Sequence, residues 1–231
     1  MALIANGKLT IPLYHGTSDL FYESILKFGL GGRNVIEELR VIELLRRLIS
    51  ICQTNLPNEQ QWLVKMQSAG SIAQQNVSRG GFNFRHGSVY LTPSSYAAAN
   101  YATSSEYGSE ALGHFMMLWD RLCQSDTKTP EDVAIGAQPI IKFCARPKTP
   151  ILIRLESVRA SMLSTENGHE AASRFQWIEG LMDDEDSILM MCQQTNFELR
   201  MAVPVGEGDI FRIVEHSRGS VKEPSLMPYR R

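Results

Sequence analysis

Apolar and polar positions along the chain change period several times, and each change marks an expected element. Ile11 to Tyr14 is a short apolar run read as a strand. Ser18 or Asp19 follows as a cap, because a short polar side chain accepts from the open N–H groups of a first helical turn. Phe21, Ile25 and Phe28 then recur at helical spacing, and Gly29 ends that pattern. A longer helix is expected over 35–52, with Leu39, Ile42, Leu45, Ile49 and Cys52 as its stripe. Another is expected over 58–75, with Trp62, Met66 and Ala69 on one side. The segment SRGGFNFRHGS, 78–88, is rich in glycine and arginine and reads as a loop. Val89 to Leu91 is a short strand, broken by Pro93, and Ser94 or Ser95 caps the alanine-rich helix YAAANYA. Further helices are expected over 108–123 and 168–181, with a polar connection at 125–139. Strands are expected at 151–155, 199–203 and 210–214. Strands and helices do not alternate regularly, so the order points to α+β rather than a doubly wound sheet.

Composition narrows the class without naming a function. The chain has 231 residues, 43% apolar and 21% charged, enough to bury a real core. A net charge of -2 gives no global argument for nucleic acid or a membrane surface. Cys52, Cys123, Cys144 and Cys192 form no CxxC pair, so no metal site is expected and the thiols read as reduced. No secretory leader or long apolar run stands out, and a cytoplasmic protein with no membrane partner is expected.

Three segments hold the candidate chemistry: Tyr14-His15-Gly16-Thr17 with its following helix, HGSVYLTPSSYAAANYA over 86–102, and TNFELRMAVPV over 195–205. Each has an ordinary structural explanation when taken alone. Together and in order, they resemble the poly(ADP-ribose) polymerase-like ADP-ribosyltransferases of His–Tyr–Glu type. His15-Gly16-Thr17, Ile25-Leu26 and Gly29-Leu30 match that family's opening strand and helix. Gly87, Val89-Tyr90-Leu91 and Ala99-Asn100-Tyr101 match its second segment, and Asn196-Phe197-Glu198 resembles the strand that begins with its glutamate.

The resemblance implies an ADP-ribosyltransferase fold: two small antiparallel sheets around an NAD cleft, in one domain over 1–231 with a helical insertion at about 35–75. It implies that His15 bonds a ribose hydroxyl and that the Gly16 backbone pairs with the nicotinamide carboxamide. Tyr101 would stack on the nicotinamide, Tyr90 would form the other wall, and Glu198 would bond the nicotinamide ribose. Thr17 and Ala98 complete the NAD-binding set, and Ala98 stands where the polymerases carry a serine. The expected activity is mono-ADP-ribosyl transfer from NAD to a macromolecule, protein or nucleic acid (RNA or DNA), without a metal. NAD glycohydrolysis and a catalytically inactive NAD- or ADP-ribose-binding module are the alternatives. By analogy the role would be that of a toxin, effector or phage-defence enzyme, paired with a neutralising antitoxin or immunity protein. Asn196 stands where arginine-directed toxins carry Glu or Gln, which argues against arginine as acceptor. In the 78–88 loop, Arg79, Arg85 and His86 interleave with Phe82 and Phe84. That pattern suits a nucleic acid, the NAD pyrophosphate or plain solvation.

Overall fold

A computed structural model describes residues 2–56, 60–75, 87–125, 127–180, 192, 194–216 and 223–230. In chain order the elements are β1 (Ile4–Ala5), β2 (Lys8–Leu9), β3 (Leu13–Ser18), α1 (Tyr22–Phe28), α2 (Val35–Glu38), α3 (Val41–Asn55) and α4 (Gln60–Gln74). Then come β4 (Tyr90–Leu91), α5 (Ser95–Ser104), α6 (Glu110–Cys123), α7 (Glu131–Cys144), β5 (Pro150–Leu155), β6 (Leu163–Thr165) and α8 (Ala171–Glu179). The last are β7 (Phe197–Leu199), β8 (Ile210–Glu215) and β9 (Ser225–Pro228). The molecule is α+β with small antiparallel sheets. It forms two compact units: Met1–Arg33 with Ser88–Gly108 and Lys148–Arg231, and Asn34–Gly87 with Ser109–Pro147. Among the described residues no helix is long and apolar enough to cross a membrane.

Among the described residues the first unit holds all the strands. One sheet runs β3-β5-β8-β9 and another β4-β7-β6, all pairings antiparallel; β1 and β2 form a hairpin. The run Ile151-Leu152-Ile153 is fully buried because β5 is covered on both faces. Leu152 packs with Ala98, Ala99 and Ala102 of α5, whereas Ile151 and Ile153 join the main core with Leu13, Leu91, Phe175 and Phe197. Ser94 caps α5 by accepting from the Ala97 N–H at 3.1 Å.

Several expected boundaries move. The first strand does not end at Tyr14; it continues through His15, Gly16 and Thr17 to Ser18, because β5 pairs with it along the whole length. Ser18 caps only the short turn that follows, accepting from the Leu20 N–H. On α1 the buried face is Tyr22 and Ile25, while Phe28 is exposed beneath the Lys27 and Arg33 side chains. The strand expected at 199–203 is instead Phe197–Leu199, because β4 and β6 supply partners only there.

The second unit is helical. The helix expected over 35–52 is two helices, α2 and α3, broken where Arg40 takes a left-handed conformation with φ 54°. Arg40 then pairs with Glu43 at 2.5 Å. The polar connection expected at 125–139 is replaced from Glu131 by α7. Val133, Ala137, Ile140 and Cys144 are buried at helical spacing there, and Pro139 sits on the exposed side. Tertiary burial of that stripe outweighs the proline, whose missing N–H removes one helical bond. The helical segment expected at 35–75 falls in this unit, which also takes in 109–147.

Candidate functional site

The site begins with the alternation of β3. In the antiparallel ladder His15 pairs with Ile153 and Gly16 with Leu152. Tyr14 turns its backbone away from β5 and exchanges two bonds with Thr92, at 2.8 and 2.9 Å. Backbone groups alternate along a strand, so the N–H and C=O of Gly16 point along that same outer edge, beyond the Tyr14–Thr92 bridge. The face toward α5 leaves no room for a side chain. A Cβ on Gly16 would overlap the Ala98 carbonyl oxygen and lie 2.7 Å from its carbon. Only glycine admits this approach of helix to strand.

His15 points to the opposite face from the one Gly16 presents to α5. Its Nδ1 lies 2.9 Å from the Tyr90 carbonyl oxygen. A carbonyl only accepts, so Nδ1 carries the proton and, in the neutral ring, Nε2 is an acceptor. Burial holds this imidazole below its ordinary pKa, against an upward pull from the Tyr90 hydrogen bond. The neutral form and its tautomer are therefore both set, and Nε2 suits a hydroxyl donor.

Tyr90 is joined to Glu198 through the second sheet. The two are direct cross-strand partners on β4 and β7. Their neighbours Leu91 and Phe197 are also partners and are fully buried, with the Phe197 and Phe175 rings stacked at 4.3 Å. Side chains alternate, so Tyr90 and Glu198 share the face away from that core. Both are half-buried. Ser88, two residues before Tyr90, donates from its hydroxyl to Glu198 Oε1 at 2.6 Å. Asn196, two residues before Glu198, donates to Glu166 Oε1 at 3.2 Å.

His15, Tyr90 and Glu198 are thus linked in series, by one hydrogen bond and one strand pairing. Ala98 is buried and lies against Gly16, and Tyr101 is half-buried about one turn further along α5. Thr17 is different: it is buried, and its hydroxyl donates to the Gly108 carbonyl at 3.1 Å. That bond anchors the end of the chain that follows α5. Arg79, Phe82, Phe84, Arg85 and His86 lie outside the described residues. Among the described residues no three His, Cys, Asp or Glu side chains gather as a metal ion would require. Sequence reasoning passed over Ser88 and Thr92. The available signal was the two-residue spacing of Ser88 and Tyr90, which would put both on one face if the extended chain of β4 began before Val89.

No family profile, curated protein or solved structure matches this chain.

Proposed function

We propose that the chain is a mono-ADP-ribosyltransferase with an ADP-ribosyltransferase fold, taking ADP-ribose from NAD and passing it to a macromolecular acceptor. The observation that carries the reading is the series His15–Tyr90–Glu198, held by the 2.9 Å bond to the Tyr90 carbonyl and by the Tyr90–Glu198 strand pairing. The open backbone edge at Gly16 supports it too, since an N–H beside a C=O complements a carboxamide.

Each residue then has a chemical task. Gly16 holds the nicotinamide amide through its backbone, and Ala98 leaves that hold without a side-chain hydroxyl. His15 accepts from a ribose hydroxyl at Nε2. Tyr90 and Tyr101 supply aromatic surface for the nicotinamide. Cleavage of the nicotinamide–ribose bond develops positive charge on the sugar, and a fixed carboxylate at Glu198 stabilises it with little reorganisation. Thr17, in the NAD-binding set, also fixes the strand end through its bond to the Gly108 carbonyl.

The test is labelled NAD incubated with the protein and a cell lysate, with products separated into protein, DNA and RNA. Label should enter one fraction, and Glu198→Gln should lower the transfer by about a hundredfold or more. Label in no fraction, together with an unchanged Glu198→Gln variant, overturns the reading. Free labelled ADP-ribose without a labelled macromolecule identifies an NAD glycohydrolase, and tight binding without turnover identifies a binding module.

A further inference from the structure

We propose that Ser88 is a positioning residue for Glu198, a role that rests on the reading of Glu198 given above. The register explains why the two meet. Tyr90 is directly opposite Glu198, and the Leu199 N–H bonds the Val89 carbonyl at 2.8 Å, so the pairing of β4 with β7 extends back toward Ser88. Ser88, two residues before Tyr90, reaches the face that Tyr90 and Glu198 share, as a diagonal neighbour of Glu198. Its hydroxyl donates to Glu198 Oε1 at 2.6 Å, a short bond of the charge-assisted kind.

Ser88 is exposed, so this bond, rather than core packing, is what the residue contributes. A glutamate has several freely rotating bonds, and its carboxylate stabilises a developing charge only when it already stands where that charge forms. One oxygen fixed from the residues leading into β4 restricts the side chain before the substrate arrives. Tyr90 on β4 and Ser88 just before it then act together: the first beside the leaving group, the second on the carboxylate.

The experiment is steady-state NAD turnover by the full chain, with wild type, Ser88→Ala, Ser88→Thr, Glu198→Gln and Ser88→Ala/Glu198→Gln measured together. Ser88→Ala should melt with the wild type and lower kcat by about tenfold, with KM for NAD changed by less than about twofold. Ser88→Thr should restore kcat, because it returns a hydroxyl at the same Cβ. In the Glu198→Gln background Ser88→Ala should cost nothing further. A Ser88→Ala enzyme with wild-type kcat, beside an inactive Glu198→Gln, overturns the role of Ser88 and leaves the site reading standing. The same holds if Ser88→Ala raises KM alone, or if Ser88→Thr fails to rescue. A fully active Glu198→Gln, or a wild type without turnover, overturns the site reading and the Ser88 role with it.

Discussion

His15 shows how much one side chain can carry. Its Nδ1 is committed to the Tyr90 carbonyl, and burial keeps the ring neutral below the ordinary histidine range. The same contact has a structural and a functional side. Structurally, His15→Ala leaves the Tyr90 carbonyl without its donor and should cost about 1 kcal/mol in a denaturant melt. Functionally, under the proposed reading, it removes the Nε2 acceptor and should weaken NAD binding about tenfold by calorimetry. The pH dependence follows from the direction of the shift. An unfolded histidine titrates near its ordinary value of about 6.5, and folded His15 titrates lower. The stability due to neutral His15 is therefore fully present above about pH 6.5 and is lost as pH falls through the lowered folded value, since the unfolded chain binds the proton first. Melts between pH 7 and 5 should show His15→Gln declining less steeply than wild type. Some slope will persist, because burial also lowers His114. Equal slopes would mean that His15 is not the group responsible.

At the scale of elements, the decisive contact is between β3 and α5, and Gly16 makes it possible. Gly16→Ala would force its methyl group into the Ala98 carbonyl, a backbone atom that cannot swing aside. The expected loss is about 2–4 kcal/mol, checked by chemical denaturation, with α5 displaced if the protein still folds. A variant as stable as wild type would show that α5 does not lie this close. This contact was hidden in the sequence, where the strand was expected to end at Tyr14, before Gly16. Nothing in a linear pattern says that a helix some eighty residues later presses its backbone there. The strand boundary was hidden for the same reason: the ladder with β5 carries β3 through His15, Gly16 and Thr17 against the low strand preference of glycine. Local signals were legible where local chemistry decides, as at the Ser94 cap and the alanine face of α5. They failed at α7, where Pro130 and Pro139 read as a connection and the buried stripe from Val133 to Cys144 makes a helix. In the candidate site, the residues at 15, 90 and 198 were named from the resemblance of three segments, taken in order, to one enzyme family. The bonds between them depend on register, and register is a property of two strands at once.

At the scale of the whole molecule, the second unit is made from two excursions out of the first. Each leaves and returns at nearly one place. A Cβ on Gly87 would come within 2.7 Å of Asn34 Nδ2, so the first and last residues of the first excursion are neighbours. For the second, Lys148 Nζ lies 3.0 Å from Glu106 and 4.6 Å from the Tyr107 ring, so the chain returns beside the point where it left. That return is held by Asp19, which accepts from the Thr149 N–H at 2.8 Å and from the Tyr229 hydroxyl at 2.7 Å. Closely spaced ends are what allow one body of chain to be inserted into another without breaking it. Among the described residues, the main core of the first unit, from Leu3 to Tyr229, draws only on residues of that unit. A shortened chain in which 34–87 and 109–147 are each replaced by a few Gly and Ser residues should therefore keep the three sheets. Its thermal melt should remain a single cooperative transition, and its circular dichroism should lose mainly helical signal. The bond from His15 to Tyr90 and the pairing of Tyr90 with Glu198 lie wholly within the retained residues. If those residues bind NAD as proposed, the affinity of the shortened chain should stay within about tenfold of the full one, a change below about 1.4 kcal/mol. A cooperative melt with binding abolished would assign part of the NAD site to the helical unit. A non-cooperative melt would show that the sheets depend on that unit to fold.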